Sequence, residues 1–269
     1  MIDQRFGKIE VLSQAPTGNA RATPLLFVHG AYTAAWCWAE NFLPWFAEQG
    51  WQAHAISLSG HGGSAGRQHL DSLSIADYVR DVAEVVSRLP ARPVLIGHSM
   101  GGFVVQKFLE REDLPAAVLM ASVPPQGLLG SAVGMGFAKP GLMRDFGSIV
   151  SGGSVALETL REVLFAQPVS DERLKHFMRC MQPESHRAVW DMSMFDLPSI
   201  SRMHRPPMLI LGAEHDQLIS ASTVEMTGRA YGIKAEIFPA MGHGMMLDAD
   251  WRKVAQRIVG WLEQLPGLA

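Results

Sequence analysis

Val94-Leu95-Ile96-Gly97-His98-Ser99-Met100-Gly101-Gly102 is the stretch that decides how this chain folds. Residues 94–96 are a short apolar run behind Pro93, the pattern of a buried strand. Gly97-His98-Ser99-Met100-Gly101 fits G-x-S-x-G, and Phe103-Val104-Val105-Gln106-Lys107-Phe108-Leu109 after it reads as a helix with an apolar face. Strand, tight turn carrying serine, then helix is the context in which such a serine serves as a nucleophile. Ser99 is then expected in a strained backbone conformation, with its Oγ above the sheet edge. Glycines at 97 and 101 keep Cβ atoms out of a crowded turn. The following helix turns its positive end and free N–H groups toward a developing oxyanion. Five common residues also occur together by chance, so the rest of the chain must supply an acid, a base and a second oxyanion donor.

Toward the N-terminus, residues 6–12 read as an opening strand and 14–23 as a polar connection. Pro24-Leu25-Leu26-Phe27-Val28 is continuous and apolar, hence a central strand, and it ends in His29-Gly30-Ala31-Tyr32. A His-Gly turn directly after a central strand brings a backbone N–H near the nucleophile. That assigns Ala31 N–H and Met100 N–H as the oxyanion donors, against the plainer reading of a flexible strand-to-loop turn. Residues 34–49 read as an amphipathic helix interrupted or restarted near Pro44, and 51–57 as the next strand. The Gly-rich Leu58-Ser59-Gly60-His61-Gly62-Gly63-Ser64 lacks the Lys-Ser/Thr of a phosphate-binding loop and reads as a tight reversal. Ser74-Ile75-Ala76-Asp77 resembles a capping box opening a helix that runs to Pro90. Residues 116–121 are another buried strand. This alternation of strands and helices is that of a doubly wound parallel sheet.

The alternation stops at Pro124-Pro125 and resumes after Pro206-Pro207. Between them, 128–138 is apolar and Gly-rich, and 154–165, 171–181 and 184–191 look helical. The expected organisation is therefore a core domain of residues 1–123 and 206–269 with an α-helical cap, 124–205, inserted into it. Methionines are frequent in that insertion (Met135, Met143, Met178, Met181, Met192, Met194, Met203). Met adapts to irregular apolar ligands, and equally fills gaps in a small helical layer. Beyond it, Met208-Leu209-Ile210-Leu211-Gly212 is a strand followed by Ala213-Glu214-His215-Asp216-Gln217. A helix over 222–231, a last strand over 235–238, the loop Pro239-Ala240-Met241-Gly242-His243-Gly244 and a closing helix over 248–264 complete the chain.

Ser99, Asp216 and His243 thus follow three strands in the order Ser…Asp…His. In a parallel sheet the C-terminal strand ends share one edge, so the three loops converge. A serine hydroxyl is a weak nucleophile at neutral pH and must lose its proton as it attacks. His243 would take that proton and return it to the leaving group, while Asp216 would hold the tautomer and favour the imidazolium. Tyr32, His29, Met135, Met194 and Met245 are the candidates for the substrate pocket.

These stretches resemble the α/β-hydrolase superfamily over essentially the whole chain. The matching residues are Val28-His29-Gly30-Ala31, Gly60-His61-Gly62-Gly63-Ser64, Gly97-His98-Ser99-Met100-Gly101-Gly102, Gly212-Ala213-Glu214-His215-Asp216 and Met241-Gly242-His243-Gly244. The nearest likeness is to bacterial serine esterases of the lysophospholipase-like or monoacylglycerol-lipase-like kind. The resemblance implies an α/β fold with a doubly wound, mostly parallel sheet, the triad, the oxyanion donors and a helical cap over the pocket. It does not fix a substrate, because this fold hosts many chemistries. Relatives often carry Asp where this chain has Ser57, Pro or Arg at Ser59, and Pro near Ser220.

Glu214 is the rival acid, but it comes earlier than the family spacing places that residue. Asp191 and Asp196 fall in the cap. His98 and His215 read as structural neighbours of the motifs, and His29 and His61 either line the pocket or bond to loop backbone. Ten histidines include no His-Glu-x-x-His or paired His/Cys spacing, so neither a metal nor a cofactor is expected. Gly134-Met135-Gly136 lacks the strand–helix context of a dinucleotide site.

Length and composition bound the remaining classes. At 269 residues, 48% hydrophobic and 18% charged, the chain can bury a substantial core as one large domain with an insertion. A net charge of −3 without a basic block points away from nucleic acid and anionic membranes. Cys37 and Cys180 are expected as reduced thiols. No signal pattern opens the chain and no apolar run reaches membrane-spanning length, so a cytoplasmic protein, monomer or homodimer, is expected. The expected activity is cofactor-free hydrolysis of a small-molecule ester with an apolar acyl group. The alternatives are C–C, amide or lactone cleavage or perhydrolysis on the same triad, or a non-catalytic small-molecule receptor.

Overall fold

The computed structural model describes residues 1–129 and 156–268. Its strands are β1 (Ile2–Phe6), β2 (Ile9–Gln14), β3 (Leu25–Val28), β4 (Ala53–Ser57), β5 (Val94–His98), β6 (Ala117–Met120), β7 (Met208–Ala213) and β8 (Glu236–Phe238). They form an eight-stranded sheet in the order β1-β2-β4-β3-β5-β6-β7-β8. Strands β3 to β8 pair in parallel, while β1/β2 and β2/β4 are antiparallel.

Continuous apolar runs become central strands here because both faces of the sheet are covered. Side chains alternate between the faces, as a pleated strand requires. Leu25 and Phe27, Val94 and Ile96, and Val118 and Met120 enter one core with the helices Trp36–Ala39, Phe42–Glu48 and Trp251–Leu262. Leu26 and Val28, Leu95, and Ala117 and Leu119 enter the other with Ile75–Arg88, Met100–Phe108 and Ala221–Tyr231. The capping box forms as read: Ser74 Oγ accepts from Asp77 N–H, and the Asp77 carboxylate accepts from Ser74 N–H.

Two readings are corrected. The opening strand expected over 6–12 is a hairpin of β1 and β2 that turns at Gly7-Lys8, where Gly7 has φ 65°. The helix expected over 34–49 breaks at Asn41 (φ −137°, ψ −48°) rather than at Pro44. Pro44 is instead the third residue of Phe42–Glu48, a position whose N–H has no intrahelical partner to lose.

Between β6 and β7 every described element is helical: Leu157–Leu164, Asp171–Cys180, His186–Trp190, a π turn at Asp191–Phe195 and a short 3₁₀ turn at Ile200–Arg202. Ser170 and Ser185 cap two of these helices by accepting from Arg173 N–H and Ala188 N–H. Among the described residues no helix is long and apolar enough to cross a membrane.

The chain runs from β3 outward to β4 and then returns to β5 on the other side of β3. The β3/β5 boundary is therefore the switch point, where loops from the two strands part and leave a crevice. Val28 pairs with Gly97, so His29-Gly30-Ala31 and His98-Ser99-Met100 leave the sheet side by side.

Candidate active site

Ser99 is the N-cap of Met100–Phe108 and has φ 53° and ψ −118°, the strained geometry expected of a nucleophile turn. Such a conformation costs on the order of 1–3 kcal/mol and persists only where the surroundings hold it. Here Ser99 N–H donates to the Met120 carbonyl at 3.0 Å, and its own carbonyl accepts from Val123 N–H at 3.1 Å. Gly101 lies so close to the end of β3 that a Cβ there would strike the Val28 carbonyl oxygen. A Cβ on Gly30 would lie 2.9 Å from His98 Nδ1 and 3.0 Å from Ser99 Cβ. The His-Gly turn after β3 thus packs directly on the serine turn. Among the described residues, neither Ala31 N–H nor Met100 N–H donates to a protein acceptor.

His243 Nδ1 meets Asp216 Oδ2 at 2.7 Å, with both side chains buried. The other carboxylate oxygen, Oδ1, accepts from Leu218 N–H and Ile219 N–H, each at 2.8 Å, which fixes the carboxylate plane. An ionised Asp216 can only accept, so His243 Nδ1 donates to it, and in the neutral ring Nε2 carries the lone pair. The two loops are also tied by His215 N–H donating to the Met241 carbonyl at 2.9 Å. Asp248 anchors the histidine turn from behind by accepting from Gly242 N–H at 2.9 Å. It also accepts from Ala166 N–H at 3.3 Å.

His98 explains why the serine and histidine turns stay together. Its ring lies 4.6 Å from that of His243, and its Nε2–H donates to the His243 carbonyl at 2.8 Å. Burial, reinforced by His243, holds the His98 imidazole well below its ordinary pKa, so it is neutral. Ser99 and His243 are not hydrogen-bonded to each other in this structure. In unliganded sites such bonds are often long and tighten with substrate. The rival Glu214 is half exposed, and its carboxylate accepts from Ala240 N–H rather than from His243.

The residues expected to line the pocket divide. Tyr32 has φ 64° beside the Ala31 peptide, and its carbonyl accepts from Gln182 N–H at 3.0 Å. His29 is corrected to a framework residue: Leu58 N–H donates to its Nε2 at 3.0 Å, so its Nδ1–H donates to the Gly30 carbonyl at 2.8 Å. No ring nitrogen is left for a ligand. Burial, then the charge on His61, lowers its pKa to about 3. Met245 is corrected to a core residue, because it lies fully buried in one hydrophobic cluster with Met241, Met246 and Leu247. Met194 sits 43% exposed on the π turn. Met135 and the Gly134-Met135-Gly136 fragment lie outside the described residues.

Sequence reasoning missed Asp248, Gln182 and Glu184. The first is a lone acid behind a motif, and the other two carry no motif. Glu184 is fully buried against His61, at 3.0 Å, and accepts from Tyr78 O–H at 2.7 Å. Among the described residues no group of three or more His, Cys, Asp or Glu converges as a metal site.

A sequence model described as the alpha/beta hydrolase family matches residues 25–257. A pyrethroid hydrolase from Sphingobium wenxiniae is 32% identical over 80 residues, 30% of this chain and 28% of that enzyme. A non-heme chloroperoxidase from Burkholderia pyrrocinia is 35% identical over 114 residues, 40% of each chain. In both, the match spans less than half of the relative's length. The solved structure of an esterase from Exiguobacterium antarcticum superposes with a TM-score of 0.73 at 18% identity, covering 95% of this chain and 96% of that one. That likeness is one of fold.

Proposed function

We propose that this chain, which belongs to the alpha/beta hydrolase family, hydrolyses carboxylic esters through an acyl-enzyme on Ser99. Ser99 Oγ attacks the ester carbonyl as His243 Nε2 takes the hydroxyl proton. The carbonyl oxygen becomes an oxyanion between Ala31 N–H and Met100 N–H, two donors without a protein acceptor among the described residues. The carbon–oxygen bond to the alcohol then breaks, and His243 hands its proton to the departing oxygen. A water molecule, deprotonated by the same imidazole, attacks the acyl carbon. The second tetrahedral intermediate collapses to release the carboxylic acid and restore Ser99.

The observation that carries this reading is the buried 2.7 Å contact between Asp216 and His243, on a loop that His98 ties to a serine in a strained turn. It supplies a base with a fixed tautomer on the loop that His98 ties to the serine turn. The insertion 124–205, helical in its described elements, acts as the cap, and an apolar acyl group lies beneath it. The named activities of the pyrethroid hydrolase and the esterase agree with this chemistry.

The test is a p-nitrophenyl ester series of increasing acyl length, run on the wild-type chain and on Ser99→Ala. Saturable turnover in the wild type and a loss of at least about 10⁴-fold in Ser99→Ala are expected. Equal turnover by the two proteins, or none by the wild type, would contradict the reading.

A further inference from the structure

A second histidine–carboxylate pair lies outside the triad, and its protonation follows from geometry. His61 Nδ1 faces the Ser59 carbonyl at 3.0 Å, and its Nε2 faces Glu184 Oε2 at 3.0 Å. A carbonyl oxygen only accepts, so Nδ1 must donate. Glu184 Oε1 already accepts from Tyr78 O–H and from Ser185 N–H, both at 2.7 Å. A carboxylate surrounded by donors is ionised, so Nε2 donates too and the ring is an imidazolium. The electrostatics agree in direction. Burial opposes both charges, yet Glu184 raises the pKa of His61, and His61 lowers that of Glu184. Arg67 is the cation that weakens the charge on His61, and Tyr78 and His29 complete its surroundings.

What this pair touches gives it a role. The His61 ring lies 5.0 Å from that of His29. His29 Nδ1–H and the Thr33 hydroxyl both donate to the Gly30 carbonyl, at 2.8 and 2.9 Å. The Gly30 carbonyl and Ala31 N–H belong to one planar trans peptide and point in opposite directions. Two donors holding the carbonyl end therefore aim the N–H end. Gln182 grips the same region from the helical segment. Its N–H donates to the Tyr32 carbonyl at 3.0 Å, its Nε2 donates to the Gly60 carbonyl at 3.0 Å, and its Oε1 accepts from Gly62 N–H at 2.9 Å.

We propose that Glu184 is a positioning residue: paired with His61, it backs His29 against the Gly30 carbonyl and so aims the Ala31 oxyanion donor from the helical segment. The segment between β6 and β7 is then part of the catalytic machinery and not only a cover. This rests on the ester-hydrolase reading above, with Ala31 as a donor. If the segment were merely anchored by the pair, breaking it would lower thermal stability and leave each folded active site equally fast.

The experiment compares the full-length wild type with Glu184→Gln and Tyr78→Phe on p-nitrophenyl acetate, with active sites counted by exhaustive fluorophosphonate labelling. Per active site, kcat should fall about 10- to 100-fold in Glu184→Gln and a few-fold in Tyr78→Phe, with KM within about two-fold. Wild-type kcat should fall at high pH as His61 loses its proton, and this limb should move to lower pH in Glu184→Gln. Unchanged kcat per site with an unmoved limb overturns the inference. Should Glu184→Gln fail to fold, Tyr78→Phe carries the kinetic test. Imidazole ¹⁵N NMR of the wild type must also show both His61 nitrogens protonated at neutral pH, and a neutral His61 ring overturns the inference. A wild type that neither turns over nor labels at Ser99 overturns the ester-hydrolase reading, and this inference with it. An active wild type with an equally active Glu184→Gln removes this inference alone.

Discussion

Among the described residues two imidazoles sit against a buried carboxylate, and they differ in what the second ring nitrogen faces. His243 gives Nδ1–H to Asp216 and leaves Nε2 without a hydrogen-bond partner among the described residues. His61 gives one nitrogen to Glu184 and the other to the Ser59 carbonyl. The first ring can take up and release a proton at the sheet edge. The second has both nitrogens committed and serves as a fixed charge. On the proposed function the same pair of residue types is a base in one place and a strut in the other, and what the second ring nitrogen faces decides which.

Amide variants of the two acids give the sharpest separation. Asp216→Asn should lower kcat by about 10⁴-fold, because the amide favours the wrong tautomer of His243. Glu184→Gln should lower kcat far less, yet cost more stability. Breaking a buried ion pair on one side costs about 3–5 kcal/mol, a drop in Tm of roughly 10 °C for a chain of this size. Steady-state kinetics and calorimetry on both variants check this crossing. The same ranking of the two variants in both measurements would break the distinction.

Gly30→Ala comes next. The added methyl presses on His98 Nδ1 and Ser99 Cβ, and it displaces the peptide that carries Ala31 N–H. A loss of kcat on the order of 10²- to 10³-fold is expected, that of one oxyanion donor. Kinetics within a few-fold of wild type would remove Ala31 from the oxyanion site.

Acid stability is a milder probe, with opposite signs in the two environments. His29 is held at about 3 against an ordinary 6.5, and His98 is also held low. As pH falls below 6.5 the unfolded chain gains protons that these folded rings refuse, so stability is lost through that window. His61 is raised, so its contribution is fully present below 6.5 and is lost as pH rises through its folded value. Thermal melts from pH 8 to 4 should show a falling Tm on the acid side, made shallower by His98→Asn. A flat acid limb would contradict the burial of neutral imidazoles. The smallest effect belongs to Glu214→Gln, half exposed and bonded to Ala240 N–H, which should change kcat less than two-fold.

The serine turn and the three strand-end loops were legible because each is local. Glycine spacing, a short apolar run and a following helix are written within a dozen residues. The β1/β2 hairpin was not, since β1 at the sheet edge is mostly exposed and shows no apolar alternation. Met245 reads as a pocket candidate in the sequence, yet it is buried in the core. Glu184 was invisible because its meaning lies 123 positions away, at His61. Pairs made only by tertiary contact leave no periodicity behind, and a buried acid in a helical segment reads as surface charge until its partner is known.

The most direct measurement is intact and peptide mass spectrometry after reaction with a fluorophosphonate. One adduct per chain is predicted, located on the peptide containing Ser99 and absent from Ser99→Ala, with labelling strongly slowed in His243→Ala. No adduct on the folded wild-type chain, or an adduct of equal yield in Ser99→Ala, would contradict Ser99 as the nucleophile.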